Sequence, residues 1–473
     1  MTMKILLLVT SVYGFTNRFS RPSHAINRVR LFSTIENKVK KPFYIKNERE
    51  AIAKKPDYLR GAGVFKDVKA EVTRSMRDQF DSDLMNEMKR SPNYVLEKDG
   101  GIVYYLAKDH GFCWGVERSI NLAYSAVETF SDSKIHMTNE LIHNPMVNGK
   151  LLSQNVNFIV KDADDTKDFS QIKDGDVVIL PAFGASLDEM RDLDARNVKV
   201  VDTTCPWVAK VWNTVHTHQV RGLTSVIHGK YAHEETSATK SMCETYICVK
   251  NLEEAELVSD FMLNAKEGDG KAEEFMVKFG KAASLHFDPH KHLQKIGLAN
   301  QTTMYKKETR AIGQLFQRTV MKRFGPDLIN DHYYEFDTIC DATQVRQDAV
   351  DALCDLHDDP NMPDLDFILV VGGFDSSNTA HLLEIPQMRG VRSYHINEAS
   401  CIGADNTIRH RTISGEIVGG ETLLIHEEFS GGVQHKLRIG VTSGASTPDK
   451  EVQDALGQIM ILNKLRSCIS VQS

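Results

Sequence analysis

The stretch Val200-Val201-Asp202-Thr203-Thr204-Cys205-Pro206-Trp207 holds the architecture in miniature. It reads as a short apolar strand, a tight polar turn, a cysteine and the start of a helix. Pro206 sits where a first-turn proline belongs, and Val208, Val211 and Val215 fall on one helical face. The same order recurs upstream, from Tyr104 through Leu106 to Gly111, Phe112 and Cys113, followed by Val116, Ile120, Ala123 and Val127. It recurs downstream in Phe336-Asp337-Thr338-Ile339-Cys340-Asp341-Ala342-Thr343, followed by Val345, Val350, Leu353 and Cys354. Asp-Thr-Thr-Cys and Asp-Thr-Ile-Cys are nearly one repeat.

Outward from these turns, short apolar runs alternate with amphipathic stretches, as an α/β chain requires. Strand candidates are Ile102–Leu106, Val156–Val160, Val177–Leu180, Val198–Val201, Leu223–Ile227, Tyr246–Val249, Ile296–Ala299, Phe367–Val371, Arg392–His395 and Leu437–Thr442. Such nearly continuous apolar runs suit parallel sheets covered on both faces.

A cysteine at a helix start gains from free backbone N–H groups and the positive dipole end, which favour thiolate over thiol. One such cysteine is usually structural. Three in one local setting, 92 and 135 residues apart, predict three sulfurs converging at the carboxyl ends of strands. Structural zinc draws four ligands, usually as close pairs, and no C-x-x-C occurs here. Cys243 and Cys248 read as a core pair, and Cys354, Cys401 and Cys468 lack the turn–cysteine–helix setting. Three ligands suit a [4Fe–4S] cluster with one iron open to a substrate oxygen. The expected fold is α/β: three similar α/β units arranged pseudo-threefold around a central cluster, behind an N-terminal targeting and charged extension. Expected bounds are a leader at 1–40, a charged extension at 41–100 that wraps the body as a solvated segment, and units at 101–204, 205–339 and 340–473. The first strand and Cys113 of the first unit are free to pack with the third.

The 473 residues carry 57 Lys+Arg against 64 Asp+Glu, a net charge of −7, so nothing supplies the positive field of a nucleic-acid binder. No apolar run reaches the ~20 residues that span a bilayer. Eight cysteines are too few for a disulfide scaffold. The N-terminus reads as an address. Lys4 precedes the apolar stretch Ile5–Val9, which ends in Val12-Tyr13-Gly14-Phe15; a tract with Arg18, Ser20, Arg21, Ser23, Arg28, Arg30 and Ser33 follows, and no acid precedes Glu36. A signal-like segment in series with an acid-free, Ser- and Arg-bearing one resembles a bipartite leader into a plastid, with a plain organelle presequence as the alternative.

Eight ordered motifs resemble the 4-hydroxy-3-methylbut-2-enyl diphosphate reductase family, in its plant and cyanobacterial branch. They are Gly111-Phe112-Cys113-Trp114-Gly115-Val116-Glu117-Arg118, Ile142-His143-Asn144-Pro145, Asp202–Pro206, His228–Thr236, Gln301-Thr302-Thr303, Cys340–Gln347, Gly373–Asn378 and Gly444–Pro448, spread over about 101–460. The resemblance implies the last enzyme of the methylerythritol phosphate route to isoprenoids, a two-electron reductive dehydroxylation giving isopentenyl and dimethylallyl diphosphates. It implies Cys113, Cys205 and Cys340 as cluster ligands, and Glu235 as proton donor, with Glu234 the near competitor and Thr302 its hydrogen-bond partner. It further implies His143, His233, Ser376, Ser377, Asn378 and Ser446 as contacts to the diphosphate. Read alone, each serine loop is an ordinary helix cap and each histidine a satisfied structural residue. Bacterial members carry a further histidine where this chain has Phe183, which cannot donate to phosphate, so a rearranged contact is expected there. His110 reads as a turn residue. A ferredoxin-type electron donor in a plastid stroma is the implied partner. The rival readings are a cysteine-nucleophile hydrolase or transferase with a Cys/His/Glu site, and a zinc-structured binding protein.

Overall fold

The computed structural model describes residues 45–61, 63–98, 101–159, 161, 166–425 and 436–470, with side chains to 465. The targeting leader expected at 1–40 lies outside them.

Three sheets organise the described chain. The first has the order Tyr58–Arg60, Lys199–Asp202, Val177–Leu180, Ile135–Met137, Asn157–Phe158, and every pairing is parallel. The second runs Tyr333–Glu335, Ile296–Asn300, Thr224–His228, Tyr246–Val249, again all parallel. The third has seven strands: Ile417–Thr422, Thr407–Arg411, Ser393–Ile396, Phe367–Val371, Leu437–Ser443, Ile102–Leu106 and Val95–Lys98. Its four central strands are parallel and both its margins antiparallel. Central strands such as Val177–Leu180 and Phe367–Val371 are buried along their whole length, because helices cover both faces and leave no polar side.

Each cysteine turn carries the chain from one sheet to the next. The strand Lys199–Asp202 of the first sheet leads through Cys205 into the helix Pro206–Val220, whose Val211 and Val215 share a core with Val226 and Leu298 of the second sheet. Tyr333–Glu335 of the second sheet leads through Cys340 into Asp341–Asp358, whose Val350 and Leu353 pack with Ile368 and Val370 of the third. Ile102–Leu106 of the third sheet leads through Cys113 into Trp114–Thr129, whose Ile120 and Ala123 pack with Ile179 and Val201 of the first. This cyclic exchange places all three cysteines at junctions between units. It is the physical form of the pseudo-threefold arrangement.

The described residues of the segment 41–100 are not a solvated coat. Tyr58–Arg60 and Val95–Lys98 are edge strands of the first and third sheets. Met85 and Met88, both fully buried, enter the core of the third sheet, while Phe65, Val72 and Phe80 enter that of the first. Phe80 meets Phe112 edge-on at 5.2 Å, one residue before Cys113. The charges that dominate the composition of this segment occupy the outward positions of short helices, and the apolar residues recur on the inward face.

Candidate active site

Cys113, Cys205 and Cys340 are the N-cap residues of their three helices, all with extended backbone. The turns are tied across units: the Cys113 N–H donates to Ala445 O (3.1 Å), that of Cys205 to Ala182 O (3.0 Å) and that of Cys340 to Thr302 O (3.3 Å). Cys113 Sγ accepts from the Val116 N–H at 3.4 Å, and Cys340 Sγ from the Thr343 N–H at 3.3 Å with Thr343 Oγ1 at 3.0 Å. Two of the three helix starts thus donate to sulfur, while the Cys205 side chain makes no such cap bond. Burial opposes them and wins at two positions, pushing the Cys205 thiol up to about 12 and the Cys340 thiol up to about 11. All three cysteines are free of disulfides.

One narrow cavity is lined by the three cysteines together with His143, His233, Glu235, Thr302, Ser376, Ser377, Asn378 and Ser446. Gly115 makes room for the sulfurs: a Cβ there would lie 2.6 Å from Cys205 Sγ and 3.8 Å from Cys113 Sγ. Three soft donors on three elements, with a glycine cradle between two of them, suit a thiolate-bound cluster. Trp114, 64 % exposed, and the half-buried Trp207 carry the same cavity wall to the surface.

Glu235 is 2 % exposed. Its Oε1 accepts the Thr302 N–H (2.6 Å) and its Oε2 the Thr302 hydroxyl (2.9 Å). Burial outweighs these bonds and raises its carboxyl to about 7, a buried acid poised to hold a proton at neutral pH. Glu234 does not line this cavity but a neighbouring wider cleft with Lys167 and Glu189, while its Oε2 lies 4.0 Å from His143 Nε2.

His233 caps the helix Glu234–Ser241, its Nδ1 accepting from the Glu235 N–H at 3.2 Å. Burial, with the nearby His143 and Lys230, lowers the ring to about 3, so it is neutral. Because Nδ1 accepts, the proton belongs on Nε2, which faces His143 Nε2 at 3.4 Å. His143, His233 and Glu234 bring ligand atoms within 4.8 Å of one another, yet that tautomer offers the cavity a donor. That Nε2–H is directed at His143 Nε2, which has the Glu234 carboxylate 4.0 Å away. Phe183 stacks on His143, centroids 4.4 Å apart, and meets His233 edge-on at 5.8 Å. Phe183 therefore packs against both imidazole rings.

Also in the lining, Ser376 caps the helix Ser377–Met388, its Oγ accepting from Thr379 N–H (3.3 Å) and Oγ1 (3.0 Å). Ser377 Oγ and Asn378 Nδ2 are buried without a protein partner among the described residues, while Asn378 Oδ1 accepts the Ala445 N–H at 2.9 Å. Ser446 Oγ donates to the main-chain oxygen of His143 at 3.4 Å. Unpartnered donors beside the first turn of a helix are what an anionic oxygen needs.

His110 Nδ1 faces Ala107 O at 2.8 Å, outside the cavity lining. Cys243, Cys248, Cys354 and Cys401 are buried in the cores. Sequence reasoning passed over Gly115, Thr343 and the contacts that hold Asp202. Tyr58 Oη donates to Asp202 Oδ2 at 2.9 Å, with Arg60 Nε 3.7 Å away, and Asp202 Oδ1 accepts the Thr204 N–H at 2.9 Å beside Cys205. The strand alternation of Tyr58-Leu59-Arg60 was the available signal, too short to stand out.

A family profile described as "LytB protein" matches residues 104–460. The 4-hydroxy-3-methylbut-2-enyl diphosphate reductase of Picosynechococcus sp. is 49 % identical over 392 residues, 83 % of this chain and 92 % of that protein. The protein of the same name from Synechococcus sp. is 48 % identical over 394 residues, covering 83 % and 94 %. The solved structure of the E-1-hydroxy-2-methyl-but-2-enyl-4-diphosphate reductase from Plasmodium falciparum aligns with a TM-score of 0.52 at 22 % identity, over 75 % of this chain and 86 % of that one. At that identity the likeness concerns the fold.

Proposed function

This chain belongs to the LytB family, and from that premise we propose that it is an iron–sulfur reductase of (E)-4-hydroxy-3-methylbut-2-enyl diphosphate. The reaction takes the allylic alcohol, two electrons and two protons to isopentenyl or dimethylallyl diphosphate and water. The observation that carries the reading is the meeting of Cys113, Cys205 and Cys340 with the buried acid Glu235 in one cavity. Cys113, Cys205 and Cys340 hold one [4Fe–4S] cluster. When bound, that group supplies electrons singly and an open iron as Lewis acid for the hydroxyl oxygen.

The chain's own residues do the rest. His143 and His233 donate to the diphosphate, as do Ser377 and Asn378, with Ser376 and Ser446 shaping the two loops. Glu235 holds its proton near the reacting end and delivers it to the departing oxygen as the C–O bond breaks, which removes the need to expel hydroxide. Thr302 fixes the carboxyl and keeps its proton affinity from rising further.

A cysteine nucleophile fits less well. Two of the three thiols are pushed up by burial, the wrong direction for a free thiolate, and two would have no role.

The electron donor is a low-potential ferredoxin-type protein approaching the cysteine side, where Trp114 is exposed. The cyanobacterial kinship and the leader-like sequence support a plastid location, which a reporter fused to residues 1–40 tests directly; a cytosolic reporter would refute it. For the reaction, anaerobically reconstituted protein with a strong one-electron reductant should convert the substrate to the two isomeric diphosphates. Zinc at one per chain with no turnover would instead support a metal-structured binding protein.

A further inference from the structure

We propose that Asn144 and Glu451 form a latch that positions His143, tying a loop of the first sheet to a helix that follows the last strand of the third. This rests on the reading of His143 as a diphosphate donor. Asn144 Nδ2 lies 3.1 Å and 3.0 Å from the two carboxyl oxygens of Glu451, across 307 residues of sequence. Both side chains are buried. Asn144 caps the helix Pro145–Ser153, its Oδ1 accepting the Val147 N–H at 2.9 Å. That bond consumes the amide oxygen and so turns the NH2 group towards Glu451.

Glu451 sits in the first turn of the helix Asp449–Ser470, directly after the loop that carries Ser446. The same neighbourhood grips the residue before Asn144. Ser446 Oγ reaches the main-chain oxygen of His143, and a Cβ at Gly373 would lie 2.4 Å from that oxygen. His143 in turn faces His233 of the second unit. One histidine therefore stands where all three units meet, and a buried amide–carboxyl hydrogen bond holds its loop; burial raises the Glu451 carboxyl to about 8, so the bond is made to a protonated acid at neutral pH. Freed from the latch, the His143 loop would no longer be set against the Ser376–Asn378 loop, and the donors on the two loops would not meet one diphosphate together. Glu451 is a positioning residue, acting through Asn144 and His143.

The test exchanges donor and acceptor. Asn144→Asp keeps the helix cap, since Asp caps as well as Asn, but sets a second carboxylate against Glu451. Measured above pH 8, where Glu451 ionises, it should raise KM for the allylic diphosphate about tenfold over the parent at the same pH, by like-charge opposition, with kcat and iron content changed much less. Inorganic pyrophosphate, titrated calorimetrically, should lose affinity in parallel. Asn144→Asp combined with Glu451→Gln restores one amide facing one carboxylate with the roles exchanged, and should bring KM back towards the parent value. Glu451→Ala removes both oxygens that face Asn144 and should also raise KM about tenfold, which covers the case that Asn144→Asp fails to fold; an unmoved KM there overturns the latch. An unmoved KM in folded Asn144→Asp, or a double variant no better than the single, overturns the latch. A parent protein that binds pyrophosphate yet turns over no substrate overturns the reductase reading instead, while the pyrophosphate affinities still decide the latch.

Discussion

Replacing Glu235 by Gln separates the chemistry of the site from its architecture. The carboxyl sits at about 7 against an ordinary 4.5 because burial outweighs its two bonds from Thr302, a difference of roughly 3 kcal/mol at 1.36 kcal/mol per pK unit. The sign follows from linkage. A carboxyl whose folded value lies above its unfolded value contributes stability fully below about pH 4.5, and that contribution fades as pH rises through about 7. Gln cannot ionise, and its amide satisfies the same Thr302 groups with one acceptor and one donor. Denaturant melts should therefore find Glu235→Gln no less stable than the parent at pH 8, by a margin of up to ~3 kcal/mol, and little different at pH 5. Turnover should behave oppositely. Loss of a positioned acid lowers kcat by about 10²–10⁴. In the parent, kcat should fall about tenfold per pH unit above pH ~7, as the protonated fraction does, and that limb should vanish in the variant. Steady-state rates under anaerobic conditions with a chemical one-electron reductant read both. An unchanged kcat, or an alkaline limb that persists in Glu235→Gln, would refute the assignment.

Thr302→Val removes the hydroxyl bond to Glu235 Oε2 while leaving the backbone one; the carboxyl should rise, moving the alkaline limb of kcat to higher pH at a stability cost of about 1 kcal/mol. A limb that stays or moves down contradicts the role given to that hydroxyl. Gly115→Ala sets a methyl 2.6 Å from Cys205 Sγ, so iron and sulfide per chain should drop. The fold should hold or gain up to ~1 kcal/mol, because Ala favours a helix over Gly. Full iron loading in that variant would count against the cradle. Tyr58→Phe leaves Asp202 with one bond fewer in a buried setting and should cost about 1–3 kcal/mol, read as a lower denaturation midpoint. No change there would show that the segment before residue 100 does not brace the Cys205 turn.

Much of the site was legible because its parts are local. Each cysteine announces itself within a few residues, by a strand before it and a helical face after it, and the parallel sheets declare themselves through runs such as Phe367–Val371. What stayed hidden depends on distance or brevity. The strand Ile135–Met137 has three residues, one of them the buried His136, and offers no alternation to read. The edge strands Tyr58–Arg60 and Val95–Lys98 join their sheets through backbone pairing, which leaves little mark on composition, so the segment reads as charge and not as core. The hairpin of Thr407–Arg411 and the fully exposed strand Ile417–Thr422 went unread for the same reason. Tyr58 with Asp202, and Asn144 with Glu451, are paired only by the fold. Helix-start cap bonds reach the sulfurs of Cys113 and Cys340 but not that of Cys205, and the burial that raises Cys205 and Cys340 comes from distant elements that no local stretch reveals.

An electron paramagnetic resonance spectrum of the reduced, anaerobic protein, taken with and without the allylic diphosphate, bears most directly on the account. A single iron–sulfur signal that shifts when substrate is added, and that is missing from Cys205→Ser, is the predicted result. A colourless protein without an iron signal, or a cluster spectrum indifferent to saturating substrate, would contradict it.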